Sequence, residues 1–241
     1  MLMLFFLNFI SVSFSFCQKL EWDYPIKPKS EAWKKLTTPE ERLNACQMDE
    51  QSLKKISTKG LVYVCMEHPF FGSYVISDSP INGLMNIMNK FNGYSELLSR
   101  KNALNTILEV IASENYDQLA DMKDSSAIGG KTLMWSGLEM MACQDKWIYK
   151  LSKDEKNMFL KQLAKKYDEK AKYKTYFGGM NHRVTALLSR KFLKSLGEKT
   201  ESTVKEKQGK FDLYDAKMIT DDGLVIKEMI AQFKNYTNKL K

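Results

Sequence analysis

Apolar positions recur at three- and four-residue intervals over most of this chain, the period of a helix with one buried stripe. Phe159, Leu163 and Tyr167, flanked by Leu160, Ala164 and Ala171, predict an amphipathic helix that ends near Lys172. Met134, Leu138, Met141 and Ile148 predict a helix near 131–151. The junction between the two, Leu151-Ser152, is so short that they are expected to pair antiparallel. A further helix is predicted from Asn181, burying Val184, Leu187, Leu188, Phe192 and Leu196, with Gly197 as its left-handed stop. The last runs from about Asp222 to Leu240 on an inner face of Ile226, Met229, Ile230 and Phe233. The amino-terminal half predicts shorter helices near 39–46, 49–56, 58–68, 81–90, 94–100 and 102–115, punctuated by Asn82-Gly83, Asn92-Gly93 and His68-Pro69.

Start signals agree with the periodicity. In Thr38-Pro39-Glu40-Glu41 the hydroxyl and the carboxylate three residues on can each accept a backbone N–H, and Ser152-Lys153-Asp154-Glu155 repeats the pattern. Two stretches read as connections. Lys123 to Gly130, with Ser125-Ser126 and Gly129-Gly130, is a possible junction of two subdomains, and Lys199 to Lys210 is a polar, mobile run. The expectation is an all-α fold of packed helical hairpins, an irregular bundle or a short solenoid-like array, in a single domain over residues 18–241.

The first 17 residues break the pattern. Leu2, Leu4, Phe5, Phe6, Leu7, Phe9, Ile10 and Val12 form an uncharged apolar core, followed by Ser13, Ser15 and Cys17 at alternate positions. That is the layout of a secretory signal with cleavage between Cys17 and Gln18. The run is shorter than the roughly 20 apolar residues a membrane-spanning helix needs. An exported protein, periplasmic or extracellular, is therefore expected. The alternative is a lipoprotein anchored to a membrane through acylated Cys17, against which Phe16 argues, because lipoprotein processing favours a small residue there.

Composition narrows the partner. The net charge of +8 is uneven: residues 18–149 carry 15 basic and 17 acidic side chains, residues 150–241 carry 22 and 12. The basic half has only Arg183 and Arg190 as arginines, and its lysines alternate with carboxylates as on a solvated face. No nucleic-acid partner is expected on that pattern. After cleavage Cys46, Cys65 and Cys143 remain, an odd number that cannot close into a disulfide framework. Buried free thiols are expected, with Cys46 and Cys65 facing each other and Cys143 apart; the alternative is one bridge between Cys46 and Cys65 that leaves a single free thiol.

Tyr24-Pro25-Ile26-Lys27-Pro28, Trp33-Lys34, Ala45-Cys46-Gln47, Ser57-Thr58, Leu61-Val62, His68-Pro69, Phe91-Asn92-Gly93, Leu97 and Arg100-Lys101 carry a resemblance. Over residues 24–115 the chain resembles a group of uncharacterised exported helical proteins of gut-type bacteria, secreted or lipoprotein in type. The resemblance implies export and a helical fold, and supplies no catalytic residues. One departure is Lys29-Ser30, where the group tends to place glycine after the second proline.

Candidate chemistry is sparse. The two histidines, His68 and His182, stand in no zinc-ligand spacing, and neither a metal nor a cofactor is expected. Cys65 and His68 are one helical turn apart, the spacing of a nucleophile and its base, and also that of a packed thiol beside a helix end. Glu139, Asp145 and His182 are candidates for an acid–base pair. Gly178, Gly179, Asn181, His182 and Arg183 are the most site-like run: glycines leading into a helix N-terminus offer free N–H groups to an anion. Trp22, Tyr24 and Trp33 can form a ligand platform, or staple an extended leader to the body. The function expected is a non-catalytic binding or structural module of the cell envelope, with another envelope protein or a cell-wall polymer as partner. The alternative is an envelope hydrolase with an unrecognised acid–base or Cys–His site.

Overall fold

The computed structural model describes residues 21–203, 207–220 and 222–240, with 178–181 described as backbone only. The apolar signal segment and Cys17 lie outside the described residues. Among the described residues every regular element is helical, so the fold is all-α.

Both capping boxes form. Helix α2 (Pro39–Ala45) follows α1 (Glu31–Lys34) and starts where the Glu41 N–H donates to the Thr38 hydroxyl at 3.1 Å, while the Thr38 N–H donates to the Glu41 carboxylate at 3.0 Å. Helices α3 (Glu50–Lys55), α4 (Thr58–Met66), α5 (Pro80–Met88), α6 (Asn92–Ser99) and α7 (Ala103–Ser113) lie within two residues of the predicted bounds. A 3-10 turn, Phe71–Ile76, comes between α4 and α5, and α8 (Gln118–Asp121) follows α7. Neither was predicted, since four to six residues are too few to show a period.

Residues 21–30 lie along α4 as a strap. The Ser57 N–H donates to the Glu21 carboxylate at 2.7 Å at the start of α4, and the Tyr24 hydroxyl donates to the Val64 carbonyl at 2.7 Å near its end. Trp22 packs edge-on against Tyr24 at 4.8 Å, and Trp33 meets Phe70 at 5.8 Å. The three aromatics thus staple the leader to the body. Lys29 adopts φ 70°, the left-handed conformation that favours glycine, so the turn is made here with a side chain in a glycine's position.

Two helices organise the rest. Helix α9 (Ser125–Ala142) is buried from Met134 to Ala142 on all sides, against the 3-10 turn, α5, α7 and α12 (Lys174–Ser195). Gly137 lets the Phe71 ring lie against the α9 backbone, where an added Cβ would collide. Helices α10 (Asp145–Ile148), α11 (Lys153–Lys172) and α14 (Gly223–Lys239) pack on α12, and α13 (Gln208–Lys217) reaches α5. One apolar core runs from Tyr24 to Phe233.

Four expectations need correction. Residues 125–130 are not a loop: α9 begins at Ser125, with the Asp124 carboxylate accepting the Ser126 N–H at 2.9 Å. Helix α12 begins at Lys174 rather than Asn181, so Gly178 and Gly179 are interior helical residues. A small aromatic cluster explains both. Ile128 and Phe177, just outside the predicted helices, pack with Tyr116, Leu119 and Trp135, and their burial carries each helix across its glycine pair. Finally, the helix expected over 131–151 ends at Ala142, and α9 takes α12 rather than α11 as its main neighbour. Within the expected polar connection, residues 208–210 instead belong to the start of α13.

Candidate functional site

Glu139, from α9, is buried with Lys170 of α11 and Thr185 of α12. The Lys170 ammonium donates to one Glu139 oxygen, and the Thr185 hydroxyl donates to the other at 2.7 Å while accepting from Lys170 at 3.1 Å. Every group in this triad has a partner, as a buried ion pair requires. His182, one turn before Thr185, packs edge-on against Tyr167 at 5.2 Å. Burial first, then Lys170, holds its imidazole below the ordinary histidine range, with Glu139 opposing. Glu139 and His182 are therefore brought to one place, where the carboxylate is occupied on both oxygens. Asp145 is elsewhere, on the surface at α10.

Cys65 and His68 do not form an activated pair. Burial pushes the Cys65 thiol well up, away from thiolate, and pushes His68 down to about 3. His68 instead stacks among Tyr24, Phe70 and Phe91, its Nδ1 accepting the Phe70 N–H at 3.2 Å. Cys46, Cys65 and Cys143 are free and buried. Cys46 and Cys65 both lie in the electrostatic surroundings of Tyr24, and Cys65 shares those of Tyr94 with Cys143.

The described surface carries a groove of about 460 Å³ where α10, α12 and α13 meet. Arg190, buried beneath it, lies 4.7 Å over the Phe211 ring, donates to the Thr200 carbonyl and donates to Asp215 at 2.7 Å. Lys194 takes the other Asp215 oxygen, and Lys191 pairs with Asp145 at 2.7 Å. The Gln208 amide donates to Asp212 at 2.9 Å. The wall is fixed because Tyr214 donates to the Arg183 carbonyl at 2.5 Å, locking α13 onto α12. Tyr149, the residue after α10, lines the groove and is 63 % exposed. The Lys156 ammonium sits 5.8 Å from the centre of its ring.

No family model, curated protein or solved structure matches this chain. Among the described residues no group of three or more His, Cys, Asp or Glu is placed to hold a metal ion. No helix among them is long and apolar enough to cross a membrane.

Of the glycine-led run, Gly178, Gly179 and Asn181 lie in the α12 interior, where their N–H groups are in a helix rather than at its free end. The anion cradle expected there is therefore not at a helix N-terminus. His182 belongs to the core triad's surroundings and Arg183 supplies the carbonyl that fixes α13. Sequence reasoning named Asp145 but missed Tyr149, Lys191, Lys194, Asp212 and Asp215. A signal was present: Lys191/Lys194 and Asp212/Asp215 are each one turn apart, two facing pairs of opposite charge.

Proposed function

We propose that this protein is an exported helical module of the cell envelope that binds another envelope component without turning it over. The export part rests on the signal-like pattern of residues 1–17 and on the resemblance to exported proteins of gut-type bacteria. The binding part rests on the groove at α10, α12 and α13. Its charges are paired with one another, Lys191 with Asp145 and both Arg190 and Lys194 with Asp215, while the Tyr149 ring stands open. Such a surface is preorganised to receive a partner, and a fixed wall lowers the entropy cost of binding. A hydrolase needs an acid and a base converging on one reacting bond. Here Glu139 has both oxygens engaged in the core, and Asp145 stands apart from it in the groove.

Fractionation of the producing cell tests both parts. The protein is expected in the envelope or outside the cell, beginning at Gln18, and retained on the isolated cell-wall fraction with that fraction's mass profile unchanged. Recovery from the cytoplasm with residues 1–17 intact would defeat the export reading. A lipid adduct on Cys17 would give the anchored form, and steady release of wall fragments would establish the hydrolase instead.

A further inference from the structure

The groove's chemistry narrows its ligand, on the assumption that the binding reading above is right. We propose that the groove at α10, α12 and α13 binds a neutral, hydroxyl-rich saccharide chain, with Tyr149 as its stacking platform. Three observations converge on this. The volume, about 460 Å³, is in the range of small-ligand sites. The open Tyr149 ring offers an apolar face to the C–H face of a sugar, and the Lys156 ammonium, anchored on the Ser195 carbonyl at 3.3 Å, lies 5.8 Å from the ring centre. The third is the alternation of charge along the wall.

Asp145, Asp212 and Asp215 offer acceptors, while Lys191 and Lys194 offer donors. These groups are fixed by pairing with one another or with Arg190 and Gln208. Hydroxyl groups donate and accept at once, so a sugar can bond to both members of an existing pair without parting them. A charged ligand would meet like charges or have to break the Asp145–Lys191 contact, losing a charge-assisted hydrogen bond. An anionic polymer is disfavoured even though the chain carries +8, because the ammonium groups of this wall, Lys191 and Lys194, are already engaged by Asp145 and Asp215.

Titration of the mature protein with tetrasaccharides and a cationic peptide tests the proposal. Neutral probes are cellotetraose, maltotetraose and N-acetylated chitotetraose; charged controls are tetragalacturonate, deacetylated chitotetraose and pentalysine. At least one neutral probe is expected to bind, with an affinity little changed between low and high salt, because no counterions are released. Tyr149→Ala is expected to weaken it about tenfold, while Tyr149→Phe, which keeps the ring, stays near wild type. Because Tyr149 is exposed, neither variant should alter the circular dichroism spectrum. Tightest binding to a charged probe would overturn the proposal, as would neutral binding indifferent to Tyr149→Ala. Retention on the cell wall without binding of any neutral probe would overturn it while leaving the binding module intact. Loss of wall retention as well would remove both.

Discussion

Two side chains at the end of α4 respond to pH in opposite directions. Burial, reinforced by Asp23 and opposed by Lys27, pushes the Glu67 carboxyl up to about 7, and its Oε1 has no hydrogen-bond partner among the described residues. The folded chain keeps this proton to a higher pH than the unfolded chain, so Glu67's contribution to stability falls as pH rises from 4.5 to about 7. His68, pushed down to about 3, acts the other way: the unfolded chain takes a proton first, and stability falls as pH drops from 6.5 toward 3. Between 4.5 and 6.5 the two slopes offset. Glu67→Gln should expose the His68 slope, with stability rising by roughly 1.4 kcal/mol per pH unit toward 6.5. Urea titrations across pH 4.5–7.5 check this, and parallel profiles for wild type and variant would refute it. Lys29 allows a simpler experiment. A left-handed residue with a side chain costs about 1–2 kcal/mol, and glycine returns part of that as unfolded-chain entropy. Lys29→Gly is therefore expected to stabilise by about 0.5–1 kcal/mol, readable as a higher urea midpoint; an unchanged midpoint would mean that the turn is unstrained.

At the scale of elements, a start written in side chains was legible, and the apolar period with its turn residues sufficed for α5, α6 and α7, whose caps make no side-chain hydrogen bond. Thr38 with Glu41 and Ser152 with Glu155 act within four residues, so their effect is visible without tertiary information. Gly129-Gly130 and Gly178-Gly179 mislead because what overrides them is remote: Tyr116, Trp135 and Phe177 meet only once three elements are assembled. The groove was illegible for the same reason, since its walls come from α10, α12 and α13 and no single window contains them. Phe177→Ala tests the aromatic cluster. Removing a buried ring costs about 3–5 kcal/mol. Amide exchange should show residues 125–130 and 174–177 losing protection first, with α4 and α7 little changed. Uniform loss across the chain would show that the cluster does not hold these ends.

For the molecule as a whole, α9 receives packing from elements on both sides of it in sequence: α5 and α7 before, α12 after. Neither side can seal it alone. Fragments 18–151 and 152–241 are expected to lack cooperative unfolding separately and to regain it, with native helicity, when mixed. A cooperative melt for fragment 18–151 by itself would contradict this. The consequence is one of timing. Glu139 waits for Lys170, 31 residues downstream, and for Thr185, 46 residues downstream. Until both have been made, the Glu139 carboxylate has no partner to close against, and premature collapse of α9 onto α5 and α7 would strand that charge at a cost of several kcal/mol. The core is therefore left unfinished over the stretch of synthesis between Glu139 and Thr185, so that a factor that holds unfolded polypeptide would have α9 within reach during that interval.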